Sequence, residues 1–369
     1  RKDDIPEDYY YGVISRMAYT MGAVSGIGDF APLGADPVIL MAATTNRICV
    51  ATYGRLMAYA PHTGKRVWPA DSARVVSAEY RPANGDGPLF RCSGGVAVVN
   101  PATGAEEILS PEAPAAPWGF AARADGMVVI ARGSTLSAFM AGKALWRKTE
   151  TSPLAAGPTV NAGRVFAATA DGALFCLDAE SGKEKWRKRM AAPWSGEMLC
   201  AGERVIGFVK EDESLTAVTT GDGSAAWKQP VGEVLLKRPM VAGGRLVAVG
   251  KNNRIIVLEI NDGKVKAEIR WPTWLVDVLP VSVGGRLLIF CTDISRGLTE
   301  LDGLTLKPVR KWKMPAKLSG GLLFAERFPV IWAVAAAAGA GFEDFESCDA
   351  KPVVLAADAE GFCYIVPLE

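Results

Sequence analysis

Short apolar runs broken by Gly, Asp, Ser and Asn recur along the whole chain. The segment from Gly163 to Met190, GRVFAATADGALFCLDAESGKEKWRKRM, holds three of them in a row. Arg164 to Thr169 and Ala173 to Asp178 are predicted strands joined by Ala170-Asp171-Gly172. After Ala179 to Gly182 comes a third strand, Lys183 to Arg189, carrying Trp186. The preceding PTVNAG, residues 158–163, supplies a fourth. Asp-Gly and Ser-Gly between such runs are hairpin signals, because glycine reaches the positive φ these turns need.

The same design recurs. The glycine of the last hairpin falls at Gly64, Gly104, Gly142, Gly182, Gly223, Gly263 and Gly303, with spacings of 38 to 41 residues. Four residues later stand Trp68, Trp146, Trp186 and Trp227, while Ile108 and Ala267 hold that place in two weaker repeats. In the seventh repeat the tryptophan is displaced to Trp312, after Pro308. Four short strands at a period of about 40 residues make one propeller blade. A single blade cannot bury both of its faces, and stacking blades radially does so. The recurring tryptophan is expected to wedge between adjacent blades and offer its ring N–H to a backbone carbonyl.

The expected fold is therefore an all-β, eight-bladed β-propeller of four-stranded antiparallel blades, forming one domain over residues 1–369. Repeats run from about 37 to 325. A last blade follows, with an insertion at about 326–351 and C-terminal strands at 352–366. That blade stops short of an outer strand. Tyr9 to Thr20, YYYGVISRMAYT, alternates well enough to close it from the other end of the chain and so remove open sheet edges. Seven hairpin repeats plus this shared blade make eight.

Composition narrows the function classes. Hydrophobic residues at 49% and charged residues at 22% describe a packed protein rather than a disordered one. No apolar stretch approaches the roughly 18 residues needed to span a bilayer. The opening Arg1-Lys2-Asp3-Asp4 reads as no signal peptide. A net charge of +1 leaves no electrostatic footprint for nucleic acid. The seven cysteines include no CxxC pair, and His62, in the turn PHTG, is the only histidine. Cys/His zinc sites, haem attachment and Ser-His-Asp catalysis thus find no support. No catalytic, cofactor-binding or metal-binding residue is assigned.

The candidate working surface comes from the connectors between blades. Trp118, Trp194 and Trp274 each lie 11 to 14 residues after a hairpin glycine, in APWGF, APWSG and PTWLV. Equivalent offsets are expected to fall on one face, giving an aromatic patch of the kind enriched at protein interfaces. Packing over the ends of the inner strands is the competing reading. In the insertion, Glu343, Asp344 and Glu346 form an acidic cluster, read as a solvated loop or partner contact before metal ligation. The basic series Lys183, Lys185, Arg187 and Arg189, with Arg147, Lys148, Lys237 and Arg238, reads as edge-strand protection against aggregation.

The units ATYGRLMAYAPHTGKRVW (51–68) and ATADGALFCLDAESGKEKW (168–186) resemble the PQQ-type propeller repeat, and the resemblance covers about residues 37 to 366. That family holds quinoprotein dehydrogenases and the non-catalytic BamB-type lipoproteins of bacterial outer-membrane assembly. The dehydrogenases bind pyrroloquinoline quinone (PQQ) with calcium, are typically much longer, and carry adjacent cysteines beside the quinone. No Cys-Cys dipeptide occurs here. The resemblance thus implies a scaffold of the periplasm or cell envelope that binds other proteins, without a cofactor. A PQQ- and calcium-binding or other small-ligand propeller, as a quinoprotein oxidoreductase or a subunit of a larger enzyme complex, is the alternative.

Overall fold

A computed structural model describes the named strands between residues 39 and 110, residues 106–313 apart from 113–118, 124, 237 and 296, and residues 322–328, 351–357 and 363–367. Among the described residues all regular structure is strand. The first sheet is β1 (Ile39–Thr44), β2 (Arg47–Thr52) and β3 (Arg55–Tyr59). The second is β4 (Val75–Pro82), β5 (Pro88–Cys92), β6 (Gly95–Val99) and β7 (Glu106–Ser110). The third is β8 (Phe120–Ala122), β9 (Met127–Arg132), β10 (Thr135–Met140) and β11 (Lys143–Thr149).

Two consecutive repeats then join in one eight-stranded sheet. Its halves are β12 (Leu154–Asn161), β13 (Arg164–Thr169), β14 (Ala173–Asp178) and β15 (Glu184–Arg189), then β16 (Trp194–Ala201), β17 (Arg204–Val209), β18 (Ser214–Thr219) and β19 (Ala225–Pro230). The inner strands β12 and β16 meet in a parallel pairing of Ala156 with Gly196, and all other pairings in these halves are antiparallel. Next come β20 (Met240–Ala242), β21 (Arg245–Val249), β22 (Arg254–Glu259) and β23 (Val265–Arg270). A further four-stranded sheet is β24 (Leu275–Val283), β25 (Arg286–Asp293), β26 (Gly297–Asp302) and β27 (Pro308–Lys313). The last is β28 (Leu323–Phe328), β29 (Lys351–Ala357) and β30 (Cys363–Pro367).

Within the expected repeat, the strands at Arg164–Thr169 and Ala173–Asp178 lie as read from the sequence. The inner strand differs: it begins at Leu154 and runs through Gly157 and Pro158. Those breakers are tolerated because β12 absorbs them as register shifts between Leu154 and Thr159, and it meets β16 in the single pairing of Ala156 with Gly196. The candidate closing strand at 9–20, Trp68, Trp118 and the insertion residues 329–350, with Glu343, Asp344 and Glu346, lie outside the described residues.

The residues form two compact units. The unit running through Glu107–Trp271 is packed sheet face on sheet face. Strands β13 and β14 are buried along almost their whole length because both of their faces are covered. Val165, Ala167, Phe175 and Leu177 pack against Met127, Val129, Leu136 and Ala138 on one side. Phe166, Ala168, Leu174 and Cys176 pack against Trp194, Met198, Val205 and Val209 on the other. Period-two alternation thus sends successive residues to two neighbouring blades, and the strands read as continuous apolar runs. Outer strands such as β15 are mostly exposed, and their sequence, EKWRKR, is correspondingly polar. In the other unit, β1 lies against β28 and β29, and β24 lies against β28.

Candidate functional site

The connector residues are placed by a fixed register. Twelve residues after Gly142, Gly182, Gly223 and Gly263 stand Leu154, Trp194, Leu235 and Leu275. Leu154, Trp194 and Leu275 open their inner strands and pair with Thr169, Val209 and Asp293, while Leu235 pairs with Gly250. Trp194 is therefore a core residue, 1% exposed, with its ring against Gly207. Its Nε1 is buried and makes no hydrogen bond. This corrects its assignment to an exposed face.

Trp274 stands one residue earlier, 11 after its glycine, and is 62% exposed. In extended chain a one-residue offset reverses the side on which a side chain stands. Trp194 and Trp274 thus stand on opposite sides of their respective inner strands, one buried and the other exposed. The rung that Trp274 occupies continues the β24–β25 ladder by one step, since the Ile294 N–H donates to the Trp274 carbonyl at 3.0 Å. Ile294 is 45% exposed. The corresponding rungs elsewhere hold Pro153 with Ala170 and Val234 with Lys251, each closed by the same hydrogen bond at 2.7 and 2.9 Å. The rung of Trp274 and Ile294 therefore carries two large apolar side chains where its counterparts carry at most one.

Beneath this rung Asp293 organises the turn. Its Oδ1 accepts from the Ser295 N–H at 2.9 Å and Ser295 Oγ at 2.5 Å, and its Oδ2 accepts from Thr273 Oγ1 at 2.8 Å. Sequence reading missed Ile294, and also Leu236, an exposed connector residue. Their signal was the position after the second strand or after the rung, visible only once register was known.

The blade tryptophans sit between sheets. Nε1 of Trp146 donates to the Ala179 carbonyl at 2.6 Å, Trp186 to Thr220 at 3.1 Å and Trp227 to Ile260 at 2.8 Å. Trp312 is buried and stacks on Phe290 at a centroid distance of 6.5 Å.

Arg147, Lys148, Lys185, Arg187, Arg189 and Arg238 are engaged by neighbouring carboxylates. Arg187 reaches Glu150 at 2.9 Å and Glu184 at 2.8 Å, with its guanidinium 4.7 Å above the Phe175 ring. Lys185 pairs with Asp178 at 3.0 Å, Arg189 with Asp171 at 3.2 Å and Arg238 with Glu197 at 3.1 Å. Arg147 pairs with Glu112, and Lys148 with Glu184 at 2.8 Å. Burial pushes the thiols of Cys176 and Cys200 up to about 11 and about 12. Among the described residues no group of three or more His, Cys, Asp or Glu could hold a metal ion, and no helix is long and apolar enough to cross a membrane.

The PQQ-repeat family described as "Outer membrane protein assembly factor BamB" matches residues 132–234 and 211–317, together half of the chain. The chain belongs to this BamB-type family. Among curated BamB proteins, that of Nitrosomonas eutropha is 26% identical over 218 residues, covering 53% of this chain and 53% of that protein. Escherichia coli BamB is 27% identical over 137 residues, covering 37% and 34%. The matches span about half the length of the first relative and a third of the second.

The crystal structure of Moraxella catarrhalis BamB superposes with a TM-score of 0.58 at 14% identity, over 90% of this chain and 94% of that one. The computationally designed Ika8 protein gives a TM-score of 0.65 at 12% identity, over 90% and 96%. At such identities the likeness to solved structures speaks for fold alone. This BamB-type chain has a β-propeller fold.

Proposed function

We propose that the chain is a non-catalytic protein-interaction scaffold of the bacterial periplasm or cell envelope, docking partners on the connector ends of its blades. The observation that carries this reading is the exposed rung of Trp274 and Ile294. A tryptophan exposed beside an isoleucine is the composition of an interface anchor. The relatives it matches are assembly factors of the outer membrane by name, which favours other envelope proteins as partners. Such docking uses no cofactor.

In this reading the chain is one propeller domain of eight blades. The eight-stranded sheet counts as two, and the segment at 9–20 supplies the outer strand to the sheet β28–β30. Trp118 and the acidic residues Glu343, Asp344 and Glu346 are assigned to the same docking function.

The test is cross-linked affinity capture from native envelopes, quantified by mass spectrometry, with the wild-type chain and a Trp274→Ala, Ile294→Ser variant. The variant is expected to lose at least about tenfold of a stoichiometric partner with an unchanged melting temperature. Equal capture by the variant removes the docking face from this rung. A wild-type chain that captures no envelope protein overturns the scaffold reading.

A further inference from the structure

At the ends of the strands opposite the connectors, the turns of neighbouring blades meet. One junction lies between the β12–β15 and β16–β19 halves. It is an open groove of about 490 Å³, lined by Asn161, Arg164, Glu203, Thr219, Gly221 and Asp222 among others.

The preceding junction shows why this one is open. There Arg123, which closes the β8–β9 turn through its N–H to the Met127 carbonyl and pairs with Asp125 in that turn, also reaches Glu180 of the next blade at 2.6 Å. Asn161 pairs with Arg164 and so holds the place of Arg123 in the β12–β13 turn. Gly221 holds the place of Glu180, two residues before a hairpin glycine. An arginine–glutamate pair is thus replaced by an amide and a hydrogen, and the space of two long side chains is left at the surface.

The remaining charges define what fits. Arg164 turns its guanidinium onto the Thr220 carbonyl at 2.7 Å, the same oxygen that takes the Trp186 N–H. Asp222 Oδ1 accepts from the Thr219 hydroxyl, and from the Ser224 N–H at 3.0 Å, and these bonds, with a smaller pull from the Lys188 charge, hold its carboxyl down at about 2. Among the described residues, neither Asp222 Oδ2 nor the exposed carboxylate of Glu203 has a cation in salt-bridge contact. Lys188 approaches the same hairpin from β15, its stem against Gly223 on the side of Trp186.

We propose that this groove receives a basic side chain, lysine or arginine, from a partner polypeptide, in the place that Arg123 fills one blade earlier. The guest cation is held by Asp222 and Glu203 in charge-assisted hydrogen bonds. This extends the scaffold reading to a second surface and does not depend on the Trp274 rung.

The test is calorimetric titration of the full chain with N-acetyl-glycyl-arginyl-glycine amide, and with the peptides carrying glutamate or glutamine in place of arginine. Saturable binding in the millimolar range is expected for the arginine peptide alone. The double substitution Asn161→Arg with Gly221→Glu rebuilds the internal pair; a side chain at Gly221 meets no neighbouring atom within 4 Å. It should keep the melting temperature or raise it and weaken the peptide by about tenfold or more. Asp222→Asn should also weaken it. Equal binding of the glutamate peptide, undiminished binding to the filled groove, or no saturable binding by the wild type would each overturn the proposal. Peptide titration reads the groove alone, so its failure is distinct from a failure of envelope capture.

Discussion

Gly182 lies flat against the indole of Trp146, so closely that a Cβ on the glycine would stand 2.7 Å from the ring. The pair belongs to successive blades. The glycine of one hairpin, at φ +67°, makes the seat for the tryptophan of the blade before it. Gly223 and Trp186, and Gly263 and Trp227, repeat the contact at 2.7 and 2.6 Å. The glycine thus answers two demands: a left-handed turn and a surface without a side chain.

Gly182→Ala should therefore cost more than the backbone alone. Gly163 has a similar φ of +70°, and a Cβ there would meet nothing within 4 Å. Gly163→Ala is expected to lose about 1 kcal/mol, the ordinary penalty for a left-handed alanine. Gly182→Ala should lose about 2–4 kcal/mol, because the ring must also move. Urea denaturation of the two variants measures the difference; equal losses would mean the ring yields freely.

The tryptophan hydrogen bonds differ in how replaceable they are. Trp146→Phe strands the Ala179 carbonyl, whereas Trp186→Phe leaves Thr220 with the Arg164 donor. The first variant is expected to be the less stable by about 1 kcal/mol, read from chemical denaturation midpoints at matched slopes.

Trp194 and Trp274 should separate stability from binding. Trp194→Ala empties a core position between blades and is expected to cost about 3–5 kcal/mol. Trp274→Ala should stay within about 0.5 kcal/mol of wild type while losing the captured partner. Thermal unfolding beside the capture experiment checks both halves.

Acid should loosen the seam between outer strands. Hydrogen bonds from Arg187, then from Lys148, hold the Glu184 carboxyl at about 2 against an ordinary 4.5. A depressed folded value means that the contribution is present above the unfolded pKa and fades as pH falls from about 4.5 toward about 2. Glu184→Gln is expected to flatten this part of the melting-temperature profile and leave the slope above about pH 6 unchanged. A wild-type slope retained in the variant would place the acid sensitivity elsewhere.

Much of the blade was legible because its determinants are local. Asp171-Gly172 marks a turn whatever surrounds it, and the strands on either side begin and end where the apolar runs do. The inner strand was read too short because Gly157 and Pro158 look like breakers until the register shifts that absorb them are known. Within the expected tryptophan patch, Trp194 and Trp274 part on a single residue of register: offsets of 11 and 12 look alike along the chain and face opposite ways in a strand. The groove was invisible for another reason. It arises from what Asn161 and Gly221 lack, in two turns 60 residues apart, and no local pattern reports a side chain that is missing.

The Gly–Trp seat has a consequence for how such a chain can change length. The blades that carry Trp146, Trp186 and Trp227 each present a hairpin glycine on one side and a tryptophan on the other, and the seats at Ala179, Thr220 and Ile260 are alike in geometry. A stretch of about 40 residues duplicated in frame would bring both halves of the joint with it and fit its neighbours at once. Loss or gain of a whole unit therefore disturbs fewer contacts than a change of one residue inside the joint, so the molecule is built to vary in whole blades and to resist variation within them.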